Sequence, residues 1–289
     1  MRNIVEQARE SGILFDGAMG TMFIRQGLTG GRVSELWTLE EPGAVKNIHE
    51  EYFRAGADAV TTNTFGGNPV KLASAGLQDR AEEINRRGVT LAREAAGETG
   101  YVAGDLGPTG EMLAPNGPLK PEEARAAFRE QAGYLADAGA DLIIVETMFD
   151  LAEELAAVKG AREACSLPIF ATMTFQETPN GFFTLMGNAV VDSLRELLAA
   201  GAVAVGANCS LGSDSMLNLA REIRDAIDAP LIIQPNAGIP ENLEDKVIYP
   251  EDEVYYSRNM ARIKAVGIEI IGGCCGTTPD YISAIKARL

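Results

Sequence analysis

The chain has 289 residues, 46% of them hydrophobic, with 31 Gly and 13 Pro, and it carries a formal charge of −16 at a sequence pI near 4.6. Such an excess of negative charge repels a nucleic-acid backbone or an anionic membrane surface, so neither is expected as a partner. The length is enough for one large core, and no apolar run approaches the roughly 20 residues needed to span a bilayer.

Taken in chain order, residues 1–12 read as a short polar helix with apolar Ile4, Val5 and Ala8. The segment lacks the apolar stretch of a secretion signal, and a cytoplasmic location is expected. Eight short β-rich runs follow at 13–16, 59–65, 101–106, 142–148, 169–175, 203–209, 231–236 and 268–274. They are almost continuously apolar rather than alternating, the pattern of parallel strands buried on both faces. Between them lie amphipathic helical stretches such as AEEINRRGVTLAREAA and PEEARAAFREQAGYLADA.

One phrase recurs four times, as RAGADAVTTNT, DAGADLIIVET, AAGAVAVGANC and AVGIEIIGGCC, each time ahead of an even-numbered strand. Its Gly56, Gly139, Gly201 and Gly267 are expected to end the preceding helix in the left-handed conformation. Pro168 and Pro230 do the same work before two odd strands. Eight βα units without a linker predict a single (β/α)8 TIM barrel over residues 1–289. A doubly wound open sheet is the competing architecture, but DGAMGT after the first strand does not match the dinucleotide-binding turn.

In such a barrel the active site lies at the C-terminal ends of the strands. Those ends read DGAMGT, TTNTFGGN, GDLGPTG, ETMFD, TFQET, GANCSLG, QPNAG and GGCCGTT. Asp16, Asn63, Thr64, Asp105, Glu146, Asn208 and Asn236 are therefore expected to face one mouth, together with Cys209, Cys274 and Cys275. Three thiols from strands six and eight, with no fourth in view, suit a catalytic zinc that keeps one position open. Gly272, Gly273 and Gly276 permit the sharp turn that lets adjacent cysteines share one ion.

Blander readings compete. A glycine-rich segment after the eighth strand can cradle phosphate, although such a loop has no use for two thiols. Cys209 alone is as readily a small buried residue as a ligand, so the argument rests on the set of three. Cys165 closes a helix just before a strand and is expected to be structural. His49, the one histidine, falls on a helix with a surface or packing role expected, which removes Ser-His and Cys-His nucleophilic catalysis. Trp37 and the pair Phe182 and Phe183 are expected to pack, with their loops near the pocket.

The segments LFDGAMGTM, ADAVTTNTFGGN, LGPTG, GADLIIVETMFD, GANCSLG, PNAG and GGCCGTTPDYI run in order from residue 14 to residue 282. Through them the chain resembles the zinc-dependent homocysteine S-methyltransferases, and most of all the homocysteine-binding module of cobalamin-dependent methionine synthase. GANCSLG and GGCCGTTP are the specific part of the likeness. The resemblance implies zinc held by Cys209, Cys274 and Cys275, with homocysteine as the methyl acceptor. It implies that Asp16 and Glu146 receive the substrate's ammonium group, and that backbone amides of Gly17, Ala18 and Met19 receive its carboxylate. It also implies that Asn236 holds the open metal position until a thiol displaces it.

Donors in this family are methylcobalamin carried by protein, betaine, S-methylmethionine or S-adenosylmethionine. No corrinoid-binding or folate-binding segment is legible in the sequence, so a separate methyl-corrinoid protein is the expected donor, with S-methylmethionine or S-adenosylmethionine as the alternative. Another corrinoid-linked small substrate remains open. So does a non-enzymatic zinc or thiol sensor, in which the adjacent cysteines oxidise reversibly.

Overall fold

The computed structural model describes residues 3–27, 33–243 and 246–289. Eight parallel strands form one sheet: β1 Ile13–Leu14, β2 Ala59–Thr61, β3 Tyr101–Leu106, β4 Leu142–Met148, β5 Ile169–Met173, β6 Ala204–Asn208, β7 Leu231–Gln234 and β8 Ile270–Ile271. Each strand from β2 to β8 pairs with the next in sequence, and β8 pairs with β1. A parallel bridge between Phe15 and Ala59 joins β1 to β2 and closes the barrel. The Asp16 N–H donates to Ala59 O at 3.0 Å and the Asp58 N–H to Leu14 O at 2.7 Å across that seam. The expected (β/α)8 architecture is therefore the observed one.

Side chains alternate across each strand, and the two faces build two cores. Ile13, Phe15, Ala59, Tyr101, Ala103, Leu142, Ile144, Phe170, Ala204, Ile232 and Ile270 cluster inside the barrel, where Phe15 and Phe170 rings approach to 6.3 Å. Ile4 and Ala8 of the helix Ile4–Ser11 join the same cluster, so the expected first helix plugs the N-terminal end of the barrel. The opposite faces, with Val60, Val102, Ile143, Val145, Val205 and Ile233, pack under the surrounding helices. Continuing the inward rows toward the other end brings Asp105, Glu146, Thr172, Asn208 and Gln234 to the mouth.

Gly56, Gly139, Gly201 and Gly267 take positive φ, from 96° to 112°, as their repeat predicts. Two antiparallel hairpins escaped the reading of the sequence. Gln176–Thr178 with Gly181–Phe183 follows β5, and Glu241–Leu243 with Lys246–Ile248 follows β7. Both rise from the C-terminal ends of the strands, and Phe182 and Phe183 belong to the first. No helix among the described residues is long and apolar enough to cross a membrane.

His49 is fully buried on the helix Pro42–Arg54, so of its two expected roles the packing one holds. Neither ring nitrogen has a hydrogen-bond partner, and burial lowers its pKa to about 4. The unfolded chain therefore takes up a proton near pH 6.5 that the folded chain refuses until about pH 4. Stability supplied by neutral His49 is complete above pH 6.5 and drains away as the pH falls through that window, by roughly 3 kcal/mol in all. His49→Phe is expected to flatten this part of the stability profile, as read by urea unfolding between pH 4 and pH 7. An unchanged slope would place the titration elsewhere.

Candidate metal centre

Cys209 follows directly on β6, while Cys274 and Cys275 lie three and four residues beyond β8. Their sulfur atoms all lie within 4.8 Å of one another, and the Cys209 and Cys275 sulfurs are 3.9 Å apart. Three thiolates at zinc-sulfur distances of about 2.3 Å around a tetrahedral ion sit about 3.8 Å from each other, so the spacing fits such an ion. All four cysteines are free thiols, and Cys165 caps the helix Leu151–Ala164 against the core, as expected of a structural residue.

Backbone hydrogen bonds hold the trio in place. Cys209 and the following Ser210 adopt left-handed φ of 56° and 61°, which turns the chain sharply off the strand. The Cys209 N–H donates to Gln234 O at 3.0 Å, the Cys274 N–H to Pro235 O at 2.8 Å, and the Ala237 N–H to Cys275 O at 2.9 Å. The ends of β6, β7 and β8 are thus laced together around the sulfurs. Of the three glycines expected to permit the turn, only Gly276 takes a positive φ, 85°. Gly272 and Gly273 serve close packing instead: a Cβ on them would meet Phe15 Cβ at 2.8 Å and Thr277 Oγ1 at 2.4 Å.

Without a cation, three sulfurs this close share their protons unequally. Cys275 accepts hydrogen bonds from the neighbouring thiols and from Tyr249, which holds it down at about 3. Hydrogen bonding to the neighbouring thiols and burial keep Cys274 well above the ordinary thiol range. The cluster therefore gives up one proton more readily than the others.

Asn208, the residue before Cys209, is fully buried and bonds in several directions. Its Oδ1 accepts from the Thr147 N–H at 2.9 Å and from Thr172 Oγ1 at 3.1 Å, while its Nδ2 donates to Thr147 Oγ1 at 2.6 Å and lies 3.9 Å from the Cys274 sulfur. Thr147 has φ of 64°, an uncommon value for a β-branched residue, at an irregularity in the pairing of β4 with β5. Asn208 therefore holds the backbone beside Glu146 and lies against the Cys274 sulfur. Asn208→Ala leaves the Thr147 N–H unpaired and is expected to cost about 1–3 kcal/mol in urea unfolding. A variant within a few tenths of a kcal/mol of wild type would show that the hub carries no stability.

Acidic groups gather beside the sulfurs. Asp16 accepts from the Thr61 N–H at 2.9 Å and from Thr61 Oγ1 at 3.0 Å, and burial raises its pKa well above the usual carboxylate range, with nearby Glu146 adding to the rise. Glu146 is pushed up to about 7, chiefly by burial and then by the Cys275 charge. Asn236 is buried with its Oδ1 unpartnered. Met19 begins the helix Met19–Arg25, and the Gly17 and Met19 amides find no acceptor among the described residues, whereas the Ala18 N–H donates to Thr277 Oγ1 at 3.3 Å. Two residues expected at the mouth are spent on neighbours: Asn63 donates to Ser34 O and Thr38 Oγ1, and Thr64 Oγ1 to Asp105 O.

Residues 13–289 match the family model described as homocysteine S-methyltransferase. The chain belongs to the homocysteine S-methyltransferase family. Among curated relatives, the methionine synthase of Mycobacterium tuberculosis is 34% identical over 294 residues, covering 95% of this chain and 24% of that protein. The methionine synthase of Mycobacterium leprae is 32% identical over 307 residues, covering 99% of this chain and 25% of that protein. The chain thus spans about a quarter of the length of these relatives. Among solved structures, the metallated form of the homocysteine methyltransferase MmuM of Escherichia coli superposes with a TM-score of 0.83 at 25% identity, covering 100% of both chains.

Hydrogen bonds interlock the loops that follow the first and last strands of the barrel. The Gly273 N–H donates to Asp16 O at 2.9 Å, the Gly276 N–H to Thr21 Oγ1 at 3.0 Å, and Tyr52 Oη to Ala18 O at 3.1 Å. These bonds join the loop of Cys274 and Cys275 to the loop of Asp16. Tyr52 and Tyr249 were missed in the sequence because each sits on an element whose pattern shows only packing or a loop. Nothing at position 249 signals that the hairpin before it returns the ring to Cys275.

Proposed function

We propose that this chain is a zinc-dependent thiol methyltransferase that forms methionine from homocysteine. The convergence of the Cys209, Cys274 and Cys275 sulfurs within 4.8 Å beside a group of buried carboxylates is the observation that carries this reading. Zinc bound there would keep an alkyl thiol as its thiolate at neutral pH, where a free thiol with a pKa near 8.5 is mostly protonated.

The chain's own side chains do the rest by positioning. Asp16 and Glu146 receive the ammonium group, and the Gly17 and Met19 amides receive the carboxylate, with Ala18 contributing to that loop through its bond to Thr277. Asn236, whose buried Oδ1 lacks a partner, would be free to offer that oxygen to a metal held by the three sulfurs when no substrate thiol is present. The substrate sulfur, its proton lost to solvent, forms the new carbon–sulfur bond as the donor's bond to the methyl group breaks and the donor keeps that electron pair, so no general base is required at the methyl carbon.

A separate methyl-corrinoid protein is the proposed donor, supported by the resemblance of GANCSLG and GGCCGTTP to the homocysteine-binding module of cobalamin-dependent methionine synthase. S-methylmethionine or S-adenosylmethionine is the alternative, supported by the close superposition on a homocysteine methyltransferase. Three reduced cysteines at the working centre suit the cytoplasm. Incubating zinc-loaded protein and homocysteine with a methylated corrinoid protein, S-methylmethionine or S-adenosylmethionine, and measuring methionine, separates these donors. No methionine with any of them would end the proposal.

A further inference from the structure

Asp105 is a buried carboxylate with no assigned task. It ends the inward row Tyr101, Ala103, Asp105 of β3, is only 5% exposed, and its Oδ1 has no hydrogen-bond partner. The charges that act on it come from Glu146, Asp16 and Glu35, all acidic, with no basic side chain among them. Glu35 is already occupied, its Oε1 accepting from the Gly66 N–H at 2.7 Å.

Register places the other two around it. Asp105 pairs with Ile144, so Glu146 stands two residues further along the same inward row of β4. Thr61, to which Asp16 is bonded, pairs with Ala103, two residues before Asp105. Three carboxylates from the ends of β1, β3 and β4 thus share one corner of the mouth. Several buried acids without a cation are costly to keep ionised, and a bound cation removes the cost.

A primary ammonium group carries three N–H donors, each needing an acceptor once buried. We propose that Asp105 supplies the third acceptor for the substrate's ammonium group, completing with Asp16 and Glu146 a receptor that selects unsubstituted α-amino thiols over N-methylated ones. N-methylation removes one donor and leaves one carboxylate facing a methyl group, the mismatch a hydrogen-bonding site rejects most strongly. This inference rests on the proposed function.

Calorimetric titration of zinc-loaded wild-type and Asp105→Asn proteins with homocysteine, N-methylhomocysteine and 4-mercaptobutanoate tests it. Wild type is expected to bind homocysteine at least about tenfold more tightly than the N-methylated thiol. In Asp105→Asn, homocysteine binding should weaken roughly tenfold to a hundredfold and this preference should shrink, while 4-mercaptobutanoate, which has no amine, binds as before. Equal homocysteine affinity in the two proteins, or no preference in wild type, overturns the inference. Asp105→Ser takes the place of the asparagine variant, with the same expected and overturning results, if Asp105→Asn does not fold. Wild type that binds homocysteine no better than 4-mercaptobutanoate removes the ammonium site as a whole, and the assignment of Asp16 and Glu146 with it.

Discussion

Cys275→Ser is expected to lose zinc and methionine formation together while the barrel stays folded. Serine keeps the size of the side chain, but its hydroxyl does not ionise near neutral pH and leaves two sulfurs where the ion needs three. The backbone around the position is untouched, since the bond from the Ala237 N–H to Cys275 O requires no side chain. Turnover should fall by far more than the roughly hundredfold that loss of an outer partner of a metal ligand costs. Metal content by atomic emission, the far-ultraviolet circular dichroism and the rate of methionine formation check the three parts separately. One equivalent of zinc with wild-type turnover would remove Cys275 from the ligand set.

Glu146→Gln is expected to raise the KM for homocysteine about tenfold to a hundredfold, the loss of one charged hydrogen bond to the ammonium group. The wild-type profile adds a second readout. Burial, and then the Cys275 charge, raise the Glu146 pKa to about 7, so below that pH the carboxyl is neutral and holds a cation poorly. Homocysteine binding should therefore strengthen with rising pH across the titration of this carboxyl. Zinc neutralises part of the Cys275 charge and should move this step to lower pH. In Glu146→Gln the part of the pH dependence owed to this carboxyl should be lost, and a profile identical to that of wild type would assign the titration to another group, such as Asp16.

Much of the barrel was legible because its signals are local. Strands buried on both faces need unbroken apolar runs, and Gly56, Gly139, Gly201 and Gly267 announce helix ends through a backbone shape that other residues resist. The three cysteines were legible because thiols at strand ends have few structural uses. Strand lengths were overestimated: the run 59–65 contains only the three-residue β2, because Asn63 turns to donate to Ser34 O and Thr38 Oγ1 while the Thr64 hydroxyl bonds to Thr62 and to Asp105 O.

What stayed hidden depends on partners distant in sequence. Asn208 reads as one more polar strand end until Thr147 of β4 is placed opposite it, 61 residues away. The hairpins after β5 and β7 carry too few residues to show a strand period above their polar surroundings. His49 gives no hint of how deeply it lies, since the polar residues that flank it on its helix read as a solvent-facing turn.

The seam between the first and last strands also sets the order of assembly. The Ala18 N–H meets Thr277 Oγ1 across 259 residues, and two of the three sulfurs belong to the same late stretch. During translation, the cup that receives metal and amino acid can take shape only after the eighth βα unit has left the ribosome. With seven units made, the chain carries Cys209 alone of the three clustered sulfurs.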